Sequence, residues 1–224
     1  MKLPDNPTDE QIDDLNNRQA FIRDAMPDSW LSYAEELEEA AEALWADSGN
    51  SMRIEAGTQL DGSLIATKKP SAHLRSYILL AGLALENVLK GLIIANDARL
   101  ISNARLDKTL KSHKLLDLVK RIDGLVLSKD EERIVQICQD AIPYWGRYPI
   151  PLEYQGLQPE EAATDNFHAC FRRLHFRLCK SLYDFLKDGW NSGVGPEILK
   201  IRSARYGDTI DTKEKFPWAK DDED

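Results

Sequence analysis

Two groups of side chains in this 224-residue chain have the types and spacing to do chemistry. The first begins with Glu86 and Lys90, spaced i, i+4 with the acid first, which is the favourable order on a helix. At 100° per residue Arg75, Glu86, Lys90 and Asp97 fall within roughly 60° of one another, so they form one stripe. A narrow solvated face is the simpler reading of that stripe. The sharper one is a paired charge facing a pocket between helices, with His113, Arg147 and Tyr148 as further ligand-binding contacts. Ser112 is a plausible N-cap, which puts His113 in the first turn of a helix running to Ile122. The positive end of the helix dipole there favours a neutral imidazole, a better acceptor or base, although a lone first-turn histidine is more often structural. Arg147 and Tyr148 sit in WGRYPIP, residues 145–151, where Pro149 and Pro151 hold the chain extended. Arg147 can bind an anion there, or cap helix carbonyls and stack on an aromatic ring.

The second group lies on one stripe of a helix over 165–188: His168, Arg172, His175 and Cys179. Such a boundary stripe usually bonds locally. Its chemical alternative is a His/Arg site on RNA, with Arg172 holding phosphate and a histidine moving the proton. Asp165 and His168 make an i, i+3 carboxylate–histidine pair, but a di-metal bundle wants two such pairs and two further carboxylates. Neither a metal site nor a cofactor is expected.

The elements that must position these groups are helical. Residues 72–95, AHLRSYILLAGLALENVLKGLIIA, form the most apolar stretch, with Leu74, Ile78, Leu85, Leu89 and Leu92 at helical spacing and Ser71 as its expected cap. A helix apolar most of the way round is surrounded by its own protein. Its longest uninterrupted apolar run, Tyr77 to Leu85, is short of the roughly 20 residues of a membrane span. A helix over 8–26 opens on a Thr8–Gln11 capping box; a second, over 30–47, takes Ser29 as its cap. The second carries Glu35, Glu36, Glu38, Glu39 and Glu42, which reads as a solvated face or a docking surface for a basic partner. Residues 48–70 read as a long loop with room for a short extended piece between Gln59 and Thr67. Ser128 and Glu131 box the start of a helix that reaches Trp145 and kinks at Pro143. Pro196 to Ala204 suggests a short helix, and Lys213 onward an acidic tail. No strand pairs are expected. The fold class is therefore all-α: an antiparallel bundle of four to six helices with a long loop and an irregular C-terminal tail. Its organisation reads as an acidic arm over 1–28, the bundle over 29–190 and an extension over 191–224.

Charge and cysteines narrow the function. The net charge is −9, and residues 1–50, with 13 acidic and 3 basic side chains, hold −10 of it, leaving about +1 on the remaining 174. That balance argues against a general nucleic-acid binder but allows a local basic surface toward the C-terminal part. Three cysteines at 138, 170 and 179 have no metal-finger spacing, and with no secretory signal they point to reduced thiols in the cytoplasm.

The order of motifs, LALENVLKGLIIA, then SHKLLDLV, then a capped helix ending in WGRYPIP, then a last helix, resembles the HEPN superfamily of small all-α bundles over roughly residues 30–188. The resemblance implies a homodimer and a setting in bacterial defence or toxin–antitoxin systems. Active members are metal-independent ribonucleases marked by Arg, four to six residues, then His. Here Arg105 precedes His113 with seven residues between, and Arg172 precedes His175 with two. The departure favours a non-catalytic module that binds a partner protein, a nucleotide or RNA. The alternative is a divergent ribonuclease working through His168, Arg172 and His175.

Overall fold

The computed structural model describes residues 8–49, 51–70, 72–102, 104–145, 164–191 and 198–208. Among them are six α-helices: α1 (Asp9–Asp24), α2 (Pro27–Ser48), α3 (Ala72–Asn96), α4 (Leu115–Val119), α5 (Lys129–Asp140) and α6 (Asp165–Lys187). The chain is an all-α bundle with α3 at its centre. α2 packs along most of α3, α6 closes over both, and α4 and α5 cover the remaining side. Ile78, Ala81, Ala84, Leu85, Val88 and Ile94 of α3 are fully buried. This helix is long and apolar enough to cross a membrane by length and composition alone, yet most of it lies inside the bundle.

Two glycines let the neighbours come close to α3. A Cβ on Gly91 would stand 2.7 Å from Leu182 Cδ2 of α6 and 3.0 Å from Trp30 Cβ of α2. One on Gly82 would stand 3.0 Å from the Cys138 carbonyl of α5. A methyl group at Gly91 would force Leu182 to shift, and one at Gly82 would crowd the Cys138 carbonyl, so glycine permits the close interhelical spacing here.

The expected caps hold at two helices. Thr8 with Gln11 boxes α1, and Ser128 with Glu131 boxes α5. At α2 the start differs: Pro27 occupies the first turn after Met26, and Ser29 lies inside the helix with its hydroxyl directed to the Arg23 carbonyl. Proline is suited to that first position because its missing N–H has no partner to lose. Helix α5 passes into a π turn, Ala141–Trp145, around Pro143, which cannot donate the next helical bond. Helix α6 starts on Thr164, whose hydroxyl accepts from the Phe167 N–H, and is followed by Gly189 at φ +107°.

The long loop over 48–70 is a β-hairpin, which corrects the expectation of no strand pairs. Strand β1 (Met52–Thr58) runs antiparallel to β2 (Leu64–Pro70), with Ala56 opposite Ala66. Gly62 at φ +83° and the Asp61 side chain, accepting from the Ser63 N–H, close the turn. The hairpin stands off the bundle and leaves Ile54 and Leu64 exposed. A second, two-residue pair joins β3 (Ile101–Ser102) to β4 (Arg105–Leu106). Toward the C-terminus, no helix occupies residues 198–203, against expectation. Leu199 instead pairs with Trp190 through two backbone hydrogen bonds, and only Ala204–Tyr206 makes a 3-10 turn. Ser71, the acidic tail from Lys213 and most of WGRYPIP lie outside the described residues.

Candidate functional site

Glu86 and Lys90 are buried, at 5% and 6% exposure, in the most apolar helix of the chain. The solvated reading of this stripe is therefore wrong at its centre. Lys90 Nζ donates to Glu86 Oε1 at 2.6 Å, and His113 Nδ1 lies 2.9 Å from Glu86 Oε2. An ionised carboxylate only accepts, so the imidazole carries its hydrogen on Nδ1. Its Nε2 has no hydrogen-bond partner among the described residues. The ring stays 58% exposed while the carboxylate beneath it is sealed. The ends of the stripe go elsewhere: Arg75 is half-buried, and Asp97 holds Arg99 at 2.7 and 3.0 Å.

The backbone around His113 is fixed from two sides. Helix α4 begins only at Leu115, so His113 stands before the helix and not in its first turn. The helix dipole is thus not what orients this ring; Glu86 is. Ser112 Oγ accepts from the Lys114 N–H at 3.1 Å and turns the chain into α4. Gln139 of α5 then accepts from the Leu116 N–H at 3.1 Å, which ties the start of α4 to α5. The π turn after α5 packs against α3 where Ile142 meets Gly82, one helical turn before Glu86. Arg147 and Tyr148, the two other expected contacts, lie outside the described residues.

The stripe on α6 is differently built. His168 Nε2 faces both oxygens of Glu42 on α2, at 2.9 and 3.0 Å, and the ring stacks on Trp45 with centroids 4.4 Å apart and planes 11° off parallel. Arg172 Nε reaches the same carboxylate at 3.5 Å. His175 is fully buried, with Cys179 Sγ 3.4 Å from its Nε2. Burial pushes the His175 imidazole down to about 4, so it is neutral at physiological pH. A sealed imidazole cannot meet a substrate, and the expectation that His175 serves as a general base fails on access. Burial also raises the Cys138 and Cys179 thiols, which makes them inert core residues. Asp165 is exposed and His168 turns to Glu42 instead; among the described residues no three His, Cys, Asp or Glu side chains gather as a metal site.

Glu42 belongs to the acidic run of α2, and that run is not a uniform solvated face. Glu36 and Glu39 are exposed. Glu35, Glu38 and Glu42 recur at helical spacing on the packed side. Arg205 donates to Glu38 at 2.8 Å and lies 3.8 Å from Glu35, whose carboxylate also accepts a short hydrogen bond from Tyr206. The C-terminal segment is thereby strapped over α2 and α6. Sequence reasoning missed Trp45, Glu38, Glu42 and Arg205 as partners. The i, i+3, i+7 spacing of the three glutamates was the signal available for half of that set.

These two regions lie on opposite sides of α3. Tyr77, beside Trp45 and His168, and Glu86 are nine positions apart, which is about 180° around the helix and about 13 Å along it. Comparison with protein-family models, curated proteins and solved structures finds no match, so the geometry of this chain alone carries the functional reading.

Proposed function

We propose that this chain is a non-catalytic, HEPN-like binding module that holds RNA against His113. The observation that carries the reading is the burial of Glu86 and Lys90 beneath a half-exposed imidazole. Two charges in the most apolar helix cost desolvation free energy that a pair of leucines would avoid. What the pair secures is one orientation of one ring, with Nε2 directed away from its anchor. The local charge favours an anionic ligand: along the segment 107–123 that carries His113, Lys108, Lys111, Lys114, Lys120 and Arg121 are exposed, against Asp107, Asp117 and Asp123. Phosphate oxygens accept from such lysines, and His113 Nε2, with the ring hydrogen held on Nδ1, is placed to accept from a ribose hydroxyl or a base N–H. The resemblance of LALENVLKGLIIA and SHKLLDLV to HEPN proteins adds a homodimer and a bacterial defence setting to the proposal.

Binding is favoured over ribonuclease chemistry because no second base stands beside His113 among the described residues, and because His175 is sealed. The test uses a fluorescein-labelled single-stranded RNA and the full chain at low salt. The wild-type protein raises its anisotropy and leaves it full length on a denaturing gel. His113→Ala, at an exposed position, keeps the fold and weakens binding by about fivefold or more, the loss of one hydrogen bond. Cleaved RNA, or equal binding by His113→Ala, rejects the reading.

A further inference from the structure

A groove of about 470 Å³ runs between α6 and the C-terminal strap, on the side of α3 away from His113. Its size is within the range of small-ligand sites. Three guanidinium groups line it: Arg172 and Arg173 on α6, and Arg205 on the strap. His168 and Glu38 complete the polar wall, and Phe176 forms the apolar one.

The charges in this groove are not evenly paired. Glu42 holds His168 and Arg172; Glu38 and Glu35 hold Arg205. Those three carboxylates account for Arg172, Arg205 and any charge on His168. Arg173 is exposed and makes no ion pair among the described residues; its side chain reaches only the Cys170 thiol. The three arginines and three carboxylates balance in number, and Arg173 is the arginine left without a carboxylate partner among the described residues. Beside it, Arg172 meets Glu42 with Nε at 3.5 Å, longer than an ordinary hydrogen bond. Two arginines one residue apart, one of them without a carboxylate partner among the described residues, fit a single phosphate group.

The aromatic wall supplies the second half of the site. Phe176 lies one turn beyond Arg172 and Arg173 and is 47% exposed. It is also not free to collapse: its ring rests against Tyr206 at 5.8 Å, and Tyr206 rests on Tyr183 at 4.8 Å. A fixed, half-exposed aromatic face next to guanidinium groups is what a base and its phosphate require together. The geometry points to a nucleotide site in this groove, with the base on Phe176 and the phosphate on Arg172 and Arg173. This site is separate from His113 and does not depend on the reading given for it.

The site is tested by isothermal titration of the full chain with AMP, adenosine and inorganic phosphate. AMP binds with a Kd of about 1 mM or tighter, and adenosine and phosphate alone bind roughly tenfold more weakly, because each offers only half of the recognition. Arg173→Ala and Phe176→Ala each weaken AMP by about fivefold or more. Both positions are exposed, so both variants keep the wild-type thermal midpoint, and Arg173→Lys restores part of the loss. The inference is overturned if AMP fails to saturate the protein, if binding survives both groove substitutions, or if it falls only in His113→Ala. That last result removes the groove and leaves the reading for His113 standing. Loss of RNA binding in His113→Ala with AMP still held by Arg173 and Phe176 supports the two sites independently.

Discussion

The bundle holds a histidine on a glutamate twice, at 2.9 Å both times, and the two pairs are built inside out relative to each other. On α3 the carboxylate is sealed, shared with Lys90, and the His113 ring projects outward. Between α2 and α6 the carboxylate keeps more exposure than the ring, and the His168 ring is stacked flat on Trp45. The first arrangement spends stability to present a side chain. The second ties two helices together, with the His168 ring 17% exposed and its Nε2 held by Glu42. Identical chemistry at identical distance thus gives a presented group in one place and a structural tie in the other, and the difference lies in which partner is buried.

The largest effect that can break this comparison is on stability. Glu86→Leu leaves Lys90 buried without its carboxylate and is expected to cost about 3–5 kcal/mol in urea denaturation. The double variant Glu86→Leu/Lys90→Leu recovers most of that, because two apolar side chains suit the site. Glu42→Gln, at a half-buried position that keeps its hydrogen-bonding shape, costs about 1 kcal/mol. Equal losses for Glu86→Leu and Glu42→Gln would mean that the two pairs are the same kind of contact.

A smaller effect is on pH. The His175 imidazole is held down to about 4 in the folded chain, against 6.5 as its ordinary value. Between those two values the unfolded chain binds a proton that the folded chain refuses, so stability falls as pH drops from 6.5 toward 4, by about 3 kcal/mol in all. Above 6.5 the residue contributes no slope. His175→Leu flattens that part of the profile. A slope that persists unchanged in His175→Leu would place the titrating group elsewhere.

Smaller again is Gly91→Ala. Its methyl group meets Leu182 of α6 and Trp30 of α2, so overpacking costs about 1–2 kcal/mol, partly offset by better helix propensity. If the thermal midpoint rises instead, α6 and α2 pack less closely on α3 than the Gly91 contacts imply.

The helices were legible because their signals are local. Thr8–Gln11 and Ser128–Glu131 each satisfy two backbone groups within four residues, and the apolar period of α3 needs no partner to be seen. The hairpin was missed although Met52, Ile54 and Ala56 alternate along β1 and Leu64 and Ala66 along β2, with Ala56 opposite Ala66. Its strands are short, glycine-punctuated and uncovered by the bundle, so no burial pattern separates them from loop. The acidic run of α2 could not be divided by sequence. Which glutamates are solvated depends on Arg205 and Tyr206, more than 160 residues away. His113 was placed one step too far into α4, because Ser112 does bond the next turn, but through Lys114 and before the helix begins. The Glu86–Lys90 spacing was visible, whereas its burial is a property of how α4 closes over α3.

The contrast between a presented and a locked histidine is tested most directly by nitrogen–proton spectra of the four imidazole rings, recorded while single-stranded RNA is added to the full chain. The account expects the His113 Nε2 resonance to move in proportion to RNA bound, with Nδ1 still hydrogen-bonded to Glu86, while His175 stays fixed. A His113 ring that does not move at saturating RNA would contradict it.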